Sequence, residues 1–319
     1  MAPSDAVVDN AEARPALALR SRRPGGLLLA GVFAAVLAGG AIGYLTRQAD
    51  DGASAGGKDP GLVHVHGLGV NAADGALYAA THTGLFRLDG DGGADRIGDR
   101  YQDTMGFTVA GPDRFIASGH PDLRDDDLRV EGKPPLLGLI ESTDRGRSWQ
   151  PRSLLGDADL HTIVADGDRV VAYDSTGERV LGSGDGGRTF EPRSSIALID
   201  LAVDPDDVDH ILAGTPNGDL LDSRDGGRTW APHPAIPPTG LAVLDWSDGG
   251  LWSGTTQGVL ARYDDATAEW VNIRDFDGPV EAVASDGDDI YVAVEGAGIL
   301  RSDDGGRRWK ELYRPPAAG

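Results

Sequence analysis

Between residues 62 and 313, apolar residues fall in short runs separated by turns rich in Gly and Asp, and the runs come in sets. Leu68-Gly-Val70 precedes Ala76–Ala80, Phe107–Val109 precedes Phe115–Ala117, and Ile163-Val164 precedes Val170–Ala172. Leu201–Val203 precedes Ile211–Ala213, Leu241–Val243 precedes Leu251-Trp252, and Val283 precedes Ile290–Val292. Runs this short, bounded by turn formers, predict β-strands. A third run follows, as in Leu137–Ile140, Val180-Leu181, Leu220-Leu221 and Ile299-Leu300, and leads into a recurring motif.

That motif reads Ser142-Thr-Asp144-Arg-Gly146-Arg-Ser148-Trp149, and returns at Ser183–Phe190, Ser223–Trp230 and Ser302–Trp309. Its aspartates stand at 144, 185, 225 and 304, so the gaps are 41, 40 and 79 residues. The last gap is nearly two periods and predicts a worn copy at Tyr263-Asp-Asp265 with Trp270; a sixth copy is expected over Leu85–Gly93. Ser and Asp side chains can hydrogen-bond turn amides, and Gly supplies a positive φ without steric cost. The aromatic residue then opens the next strand and packs into the core. The motif therefore reads as a hairpin staple, which gives structural roles to Asp144, Trp149, Asp185, Phe190, Asp225, Trp230, Asp304 and Trp309. Two strands, a third into the motif and a fourth after it make a four-stranded blade. Residues 62 to 313 hold 252 positions, or six units of 42. The predicted fold is all-β, a six-bladed β-propeller followed by a tail at 314–319.

The S-x-D-x-G-x-[ST]-[WF] pattern is the Asp box, and through it the chain resembles the Asp-box (BNR repeat) β-propellers. That family includes sialidases, sortilin-type receptors and the photosystem II assembly factor. The resemblance implies the fold and leaves two functions open. One is sialidase-like hydrolysis of an extracellular glycan. Against it, the F-R-I-P signature of sialidases is absent, since Phe86-Arg87-Leu88-Asp89 lies in a third strand, and no inner strand starts with Arg. Hydrolysis of a neutral glycan would fall to Glu281 with Asp174 or Glu295. The other function is a rigid module that binds a protein or glycan ligand or assists assembly.

Propeller ligands approach the mouth where the innermost strands begin and the loops between second and third strands emerge. Aligning the repeats places His66, Met105, His161, Ile199, Thr239 and Glu281 at the inner-strand starts, with His82, His120, Asp174 and Glu295 in the loops. His64, two residues before His66, is expected to point the same way along a strand. Five of the seven histidines thus share one face. Imidazole and thioether suit copper, and imidazole suits zinc, which makes His66, Met105, His120 and His161 candidate metal ligands with His82 beside them. The alternative is a polar channel in which the histidines bond to neighbours.

Ahead of the repeats, Gly25 to Thr46 runs without a charge. At ~1.5 Å per residue these 22 residues cover about 33 Å, enough for a bilayer core. Arg20, Arg22 and Arg23 precede the run and acidic residues follow it, so residues 1–24 are expected in the cytoplasm and everything after Arg47 outside. The competing cleaved signal peptide would have a shorter apolar stretch. Residues 47–61 read as a flexible tether. The expected protein is a monomer, anchored once in the cell membrane with its C-terminal domain extracytoplasmic.

Charge narrows the partners. The chain carries 29 Lys and Arg against 51 Asp and Glu, hence −22; residues 1–50 hold five Arg and four acids, so the rest carries −23. An acidic domain is poorly suited to nucleic acid and repels an anionic sugar. There is no cysteine, which excludes disulfides and thiolate chemistry. One blade exceeds the period by an insert over Pro121–Pro135, read as either a partial lid at the mouth or a solvated acidic loop.

Overall fold

The computed structural model describes residues 59–315 apart from Leu123. Among these residues 24 strands form six antiparallel sheets of four, each ordered as in the sequence. Blade 1 holds β1 (Val65–Asn71), β2 (Ala76–Thr81), β3 (Gly84–Leu88) and β4 (Ala94–Arg96). Blade 2 holds β5 (Asp103–Gly111), β6 (Arg114–His120), β7 (Leu139–Ser142) and β8 (Gln150–Ser153). Blade 3 holds β9 (Leu160–Asp166), β10 (Arg169–Asp174), β11 (Arg179–Ser183) and β12 (Glu191–Ser195). Blade 4 holds β13 (Asp200–Val203), β14 (Ile211–Gly214), β15 (Leu220–Ser223) and β16 (Ala231–Pro232). Blade 5 holds β17 (Leu241–Ser247), β18 (Gly250–Thr255), β19 (Val259–Asp264) and β20 (Glu269–Asp275). Blade 6 holds β21 (Val280–Asp286), β22 (Asp289–Val294), β23 (Gly298–Ser302) and β24 (Lys310–Tyr313).

The first strands neighbour one another in ring order, and β21 returns to β1. No blade borrows a strand from another, and blades 1 and 6 meet through one isolated backbone bridge, Gly92 with Tyr313, and through side-chain packing. Leu77, Ala79 and Leu88 of blade 1 bury themselves against Ala282, Tyr291 and Ile299 of blade 6. The apolar core is divided in the same way throughout, with one cluster in each of the six gaps between blades.

The repeated hairpins explain how neighbouring blades are fixed. In blade 4, Ser223 Oγ meets Asp225 Oδ1 at 2.9 Å and accepts the Gly227 amide at 2.8 Å. The Thr229 amide donates to Asp225 Oδ1 at 2.8 Å, and the Thr229 hydroxyl donates to Oδ2 at 2.6 Å. Gly227 has φ +85°, and a Cβ there would lie 2.9 Å from Val180 Cγ1 of blade 3. Glycine is therefore required both for the turn and for the close approach to the preceding blade. Ser194 of blade 3 then donates to Gly227 O at 2.7 Å and accepts Trp230 Nε1 at 3.0 Å. The same carboxylate pattern recurs at Asp144, Asp185 and Asp304. These bonds hold Asp225 and Asp304 down at about 2, ionised and committed to their own turns. The worn copy in blade 5 departs from expectation. Asp264, one residue earlier than Asp265, accepts the Ala266 amide and the Thr267 hydroxyl.

The expected membrane span and the cytoplasmic segment lie outside the described residues. Among the described residues no helix is long and apolar enough to cross a membrane. The end of the expected tether is fastened to blade 1, where Asp59 receives two hydrogen bonds from Arg96, both at 2.6 Å. The insert is pinned as well. Leu128 is buried in the cluster between blades 1 and 2, Asp122 accepts the Tyr101 amide at 2.9 Å, and Lys133 bonds Asp157 at 2.6 Å. The insert is thus anchored at Asp122, Leu128 and Lys133, while Asp126, Asp127 and Glu131 are exposed.

Candidate functional site

Antiparallel pairing puts the start of each first strand beside the end of the second, as in Val65 opposite Thr81 and Asp103 opposite His120. The motif hairpins occupy the other end of each blade. At the mouth end, four first strands carry a β-bulge at a repeat-aligned residue, namely His66, Met105, His161 and Glu281. A bulged residue is unpaired and re-aims its side chain. The sequence alignment fails in the other two blades. In blade 5 the bulge falls at Ala242, leaving Thr239 in the preceding loop, and blade 4 pairs without one, so Ile199 has no bulged counterpart. Asp174 is also displaced. It ends β10 as the equivalent of Thr81, is only 1% exposed, and is bound by Arg179 Nε at 2.8 Å.

His64 lies just outside β1 with φ +49°, a left-handed conformation that costs an L residue about 1–2 kcal/mol. Strand alternation therefore does not orient it, yet it still meets His66. The ring centroids are 4.7 Å apart for His64 and His66, 5.1 Å for His64 and His82, and 4.4 Å for His66 and His82. Glu281, arriving from blade 6, accepts from His64 Nδ1 at 2.6 Å and from the Val65 amide at 3.1 Å. The Glu281 bond raises the pKa of His64, burial opposing it. Burial holds the imidazole of His66 well below its ordinary range, and the neighbouring rings add to the effect.

From His66 the contacts run on through blades 2 and 3. His66 Nε2 stands 3.3 Å from His82 Nδ1, and that nitrogen is 2.7 Å from Asp103 Oδ1. His120 lies 3.4 Å from Asp103 Oδ2 and 3.9 Å from Asp159 Oδ2, which bonds His161 Nε2 at 3.0 Å. Burial works against ionisation of Asp103, but His120 and His82 outweigh it and keep the carboxylate well below its usual range. Burial likewise opposes the charge on His120, and Asp103 with Asp159 raises its pKa on balance. Met105 is buried at its bulge. The structure thus joins His64, His66, His82, His120 and His161 in one histidine–carboxylate network, with Glu281 at one end. Asp159 Oδ1 is buried there without a hydrogen-bond partner.

Asp103 and Asp159 did not emerge from the sequence, although a signal was present. They sit two residues before Met105 and His161 as His64 sits two before His66, so D-x-M and D-x-H repeat the H-x-H. Behind the mouth, a cavity of about 240 Å³ runs between the inner strands and is lined by His66, His161, Thr162, Asp200 and Asp245, among others.

In fold the chain is similar to a GH74 enzyme from Niastella koreensis, at TM-score 0.54 and 17% identity over 79% of this chain and 46% of that one. It is similar to a putative gluconolactonase, at TM-score 0.59 and 14% identity over 76% and 89%. A third similar chain belongs to the nidogen/laminin complex, at TM-score 0.57 and 13% identity over 75% and 93%. The chain spans about half the length of the GH74 enzyme. Identities this low show a shared fold alone. No protein-family model and no curated protein matches the chain.

Proposed function

We propose that this chain is an Asp-box propeller, anchored in the cell membrane by residues 25–46, which binds a protein ligand at its extracytoplasmic mouth as a docking or assembly module. The observation that carries this reading is the mouth network, which concentrates five of seven histidines where the inner strands begin. The motif carboxylates, by contrast, are consumed inside their own hairpins. The carboxylates that hydrolysis would need support the same choice. Glu281 is held by His64 and the Val65 amide, and Asp174 by Arg179, while only Glu295 is exposed. A similar fold within the nidogen/laminin complex accords with a protein ligand. The mouth also gathers imidazole donors of the kind copper and zinc favour.

The test is a photo-crosslinking amino acid in the full chain in its native membrane, with EDTA present. Substitution at Gln257 or Glu295, both exposed at the mouth, should trap a discrete protein adduct, and substitution at Thr267 on the hairpin end should not. Adducts from Thr267 alone would overturn the reading, as would neutral-glycan hydrolysis that Glu281→Gln abolishes. Protease added to intact cells should digest residues 51–319 and spare 1–24; the reverse pattern refutes the orientation.

A further inference from the structure

We propose that His64, His66 and His82 together hold one late first-row divalent metal ion, copper(II) more tightly than zinc(II). This rests on the mouth being the binding face and gives it a specific occupant. Taking one nitrogen from each residue, the three ligand atoms lie within 4.8 Å of one another. Metal–imidazole bonds of ~2.0–2.1 Å place ligand nitrogens about 2.8–4.2 Å apart, from cis positions of a tetragonal site to trans ones, so side-chain rotations complete the set. Imidazole donors suit copper and zinc, and copper(II) heads the divalent series in affinity.

Two further features fit a metal centre. Metal-binding histidines commonly give their other ring N–H to a carboxylate, which fixes the tautomer and the ring. Here Glu281 stands on His64 Nδ1 and Asp103 on His82 Nδ1. The backbone is also arranged around the cluster, with His64 left-handed and His66 at a bulge. The left-handed φ falls on a proposed ligand, as strain does at functional sites, whereas the bulge is a repeat feature shared with Met105, His161 and Glu281. This set differs from the one aligned by repeat position, because all three ligands come from blade 1. His120 and His161 sit instead against Asp103 and Asp159.

The experiment uses the purified full chain without an affinity tag, titrated with copper(II) sulfate or zinc(II) chloride alone. After gel filtration the chain should retain one copper per molecule. Its electron paramagnetic resonance spectrum should show nitrogen couplings from three imidazoles. His64→Ala, His66→Ala and His82→Ala should each weaken binding by more than about 100-fold, and Glu281→Gln by about 10–100-fold through the loss of ring positioning. His233→Ala, whose ring faces Tyr263, should leave binding unchanged. Absence of stoichiometric copper overturns the proposal, and so does binding that survives His66→Ala but is lost in His161→Ala. Where a variant does not fold, the count of coupled nitrogens in the unaltered chain decides, and fewer than three refutes the site. The titration needs no docking partner and the crosslinking is done in EDTA, so either reading can fail alone.

Discussion

Asp200 and Asp245, on the neighbouring inner strands β13 and β17, line the central channel and make stability depend on pH in a direction that can be worked out. Asp200 accepts the Thr162 hydroxyl at 2.7 Å and the Leu201 and Leu244 amides at 2.9 and 2.8 Å, yet burial pushes it up to about 6. Burial pushes Asp245 up to about 7, opposed by a hydrogen bond from Ser285 and reinforced by the charge of Asp200. An unfolded aspartate titrates near 3.9. Between about pH 4 and 7 these two sites therefore bind more protons in the folded chain than in the unfolded one, and their contribution to stability falls as pH rises through that window. For Asp245 alone the ceiling is roughly 4 kcal/mol, and access from the channel lumen reduces it to about 1–2 kcal/mol. Asp245→Asn removes the charge and keeps a hydrogen-bonding side chain. Urea unfolding of both proteins at pH 5 and pH 8 isolates the effect, because the histidines and the other acids titrate in both. The variant should match the wild type at pH 5 and exceed it by about 1–2 kcal/mol at pH 8. A variant less stable at pH 8 would show that the Asp245 anion stabilises the channel, and the reasoning from burial would be refuted.

Trp149→Ala should cost ~3–5 kcal/mol in urea unfolding, since the ring is buried between blades 1 and 2; Trp230→Ala and Trp309→Ala should cost about 2–3 kcal/mol because those rings are half-buried. Uniformly small losses would remove the inter-blade role of the hairpin aromatics. Asp103→Asn should lower the titration midpoint of His120, followed by nuclear magnetic resonance of its ring protons, because Asp103 is a principal source of its raised pKa. An unchanged midpoint would leave Asp159 as the group that holds the charge.

The blades were legible in the sequence because their determinants are local. The bonds within each staple join residues two to four positions apart, and each blade is contiguous in the chain. The alignment located His66, Met105, His161 and Glu281 at corresponding bulges for the same reason. It slipped at Thr239 and Ile199, where the connections before the first strand differ between blades. It also took His64 for a strand residue, since alternation carries no information about a left-handed residue just outside the strand.

Pattern and spacing along the chain determined the number of strands, their grouping into six blades and the end of each blade that carries the staples. A period of about forty residues with a fixed hairpin chemistry admits few other folds. Only the closed ring decided which side chains meet. Glu281 reaches His64 across 217 residues because blade 6 must pack against blade 1. Asp103 and Asp159 enter the network because neighbouring blades bring their first strands together. A repeat sets each residue's position within its own blade, whereas the contacts between blades depend on how all six pack around one axis.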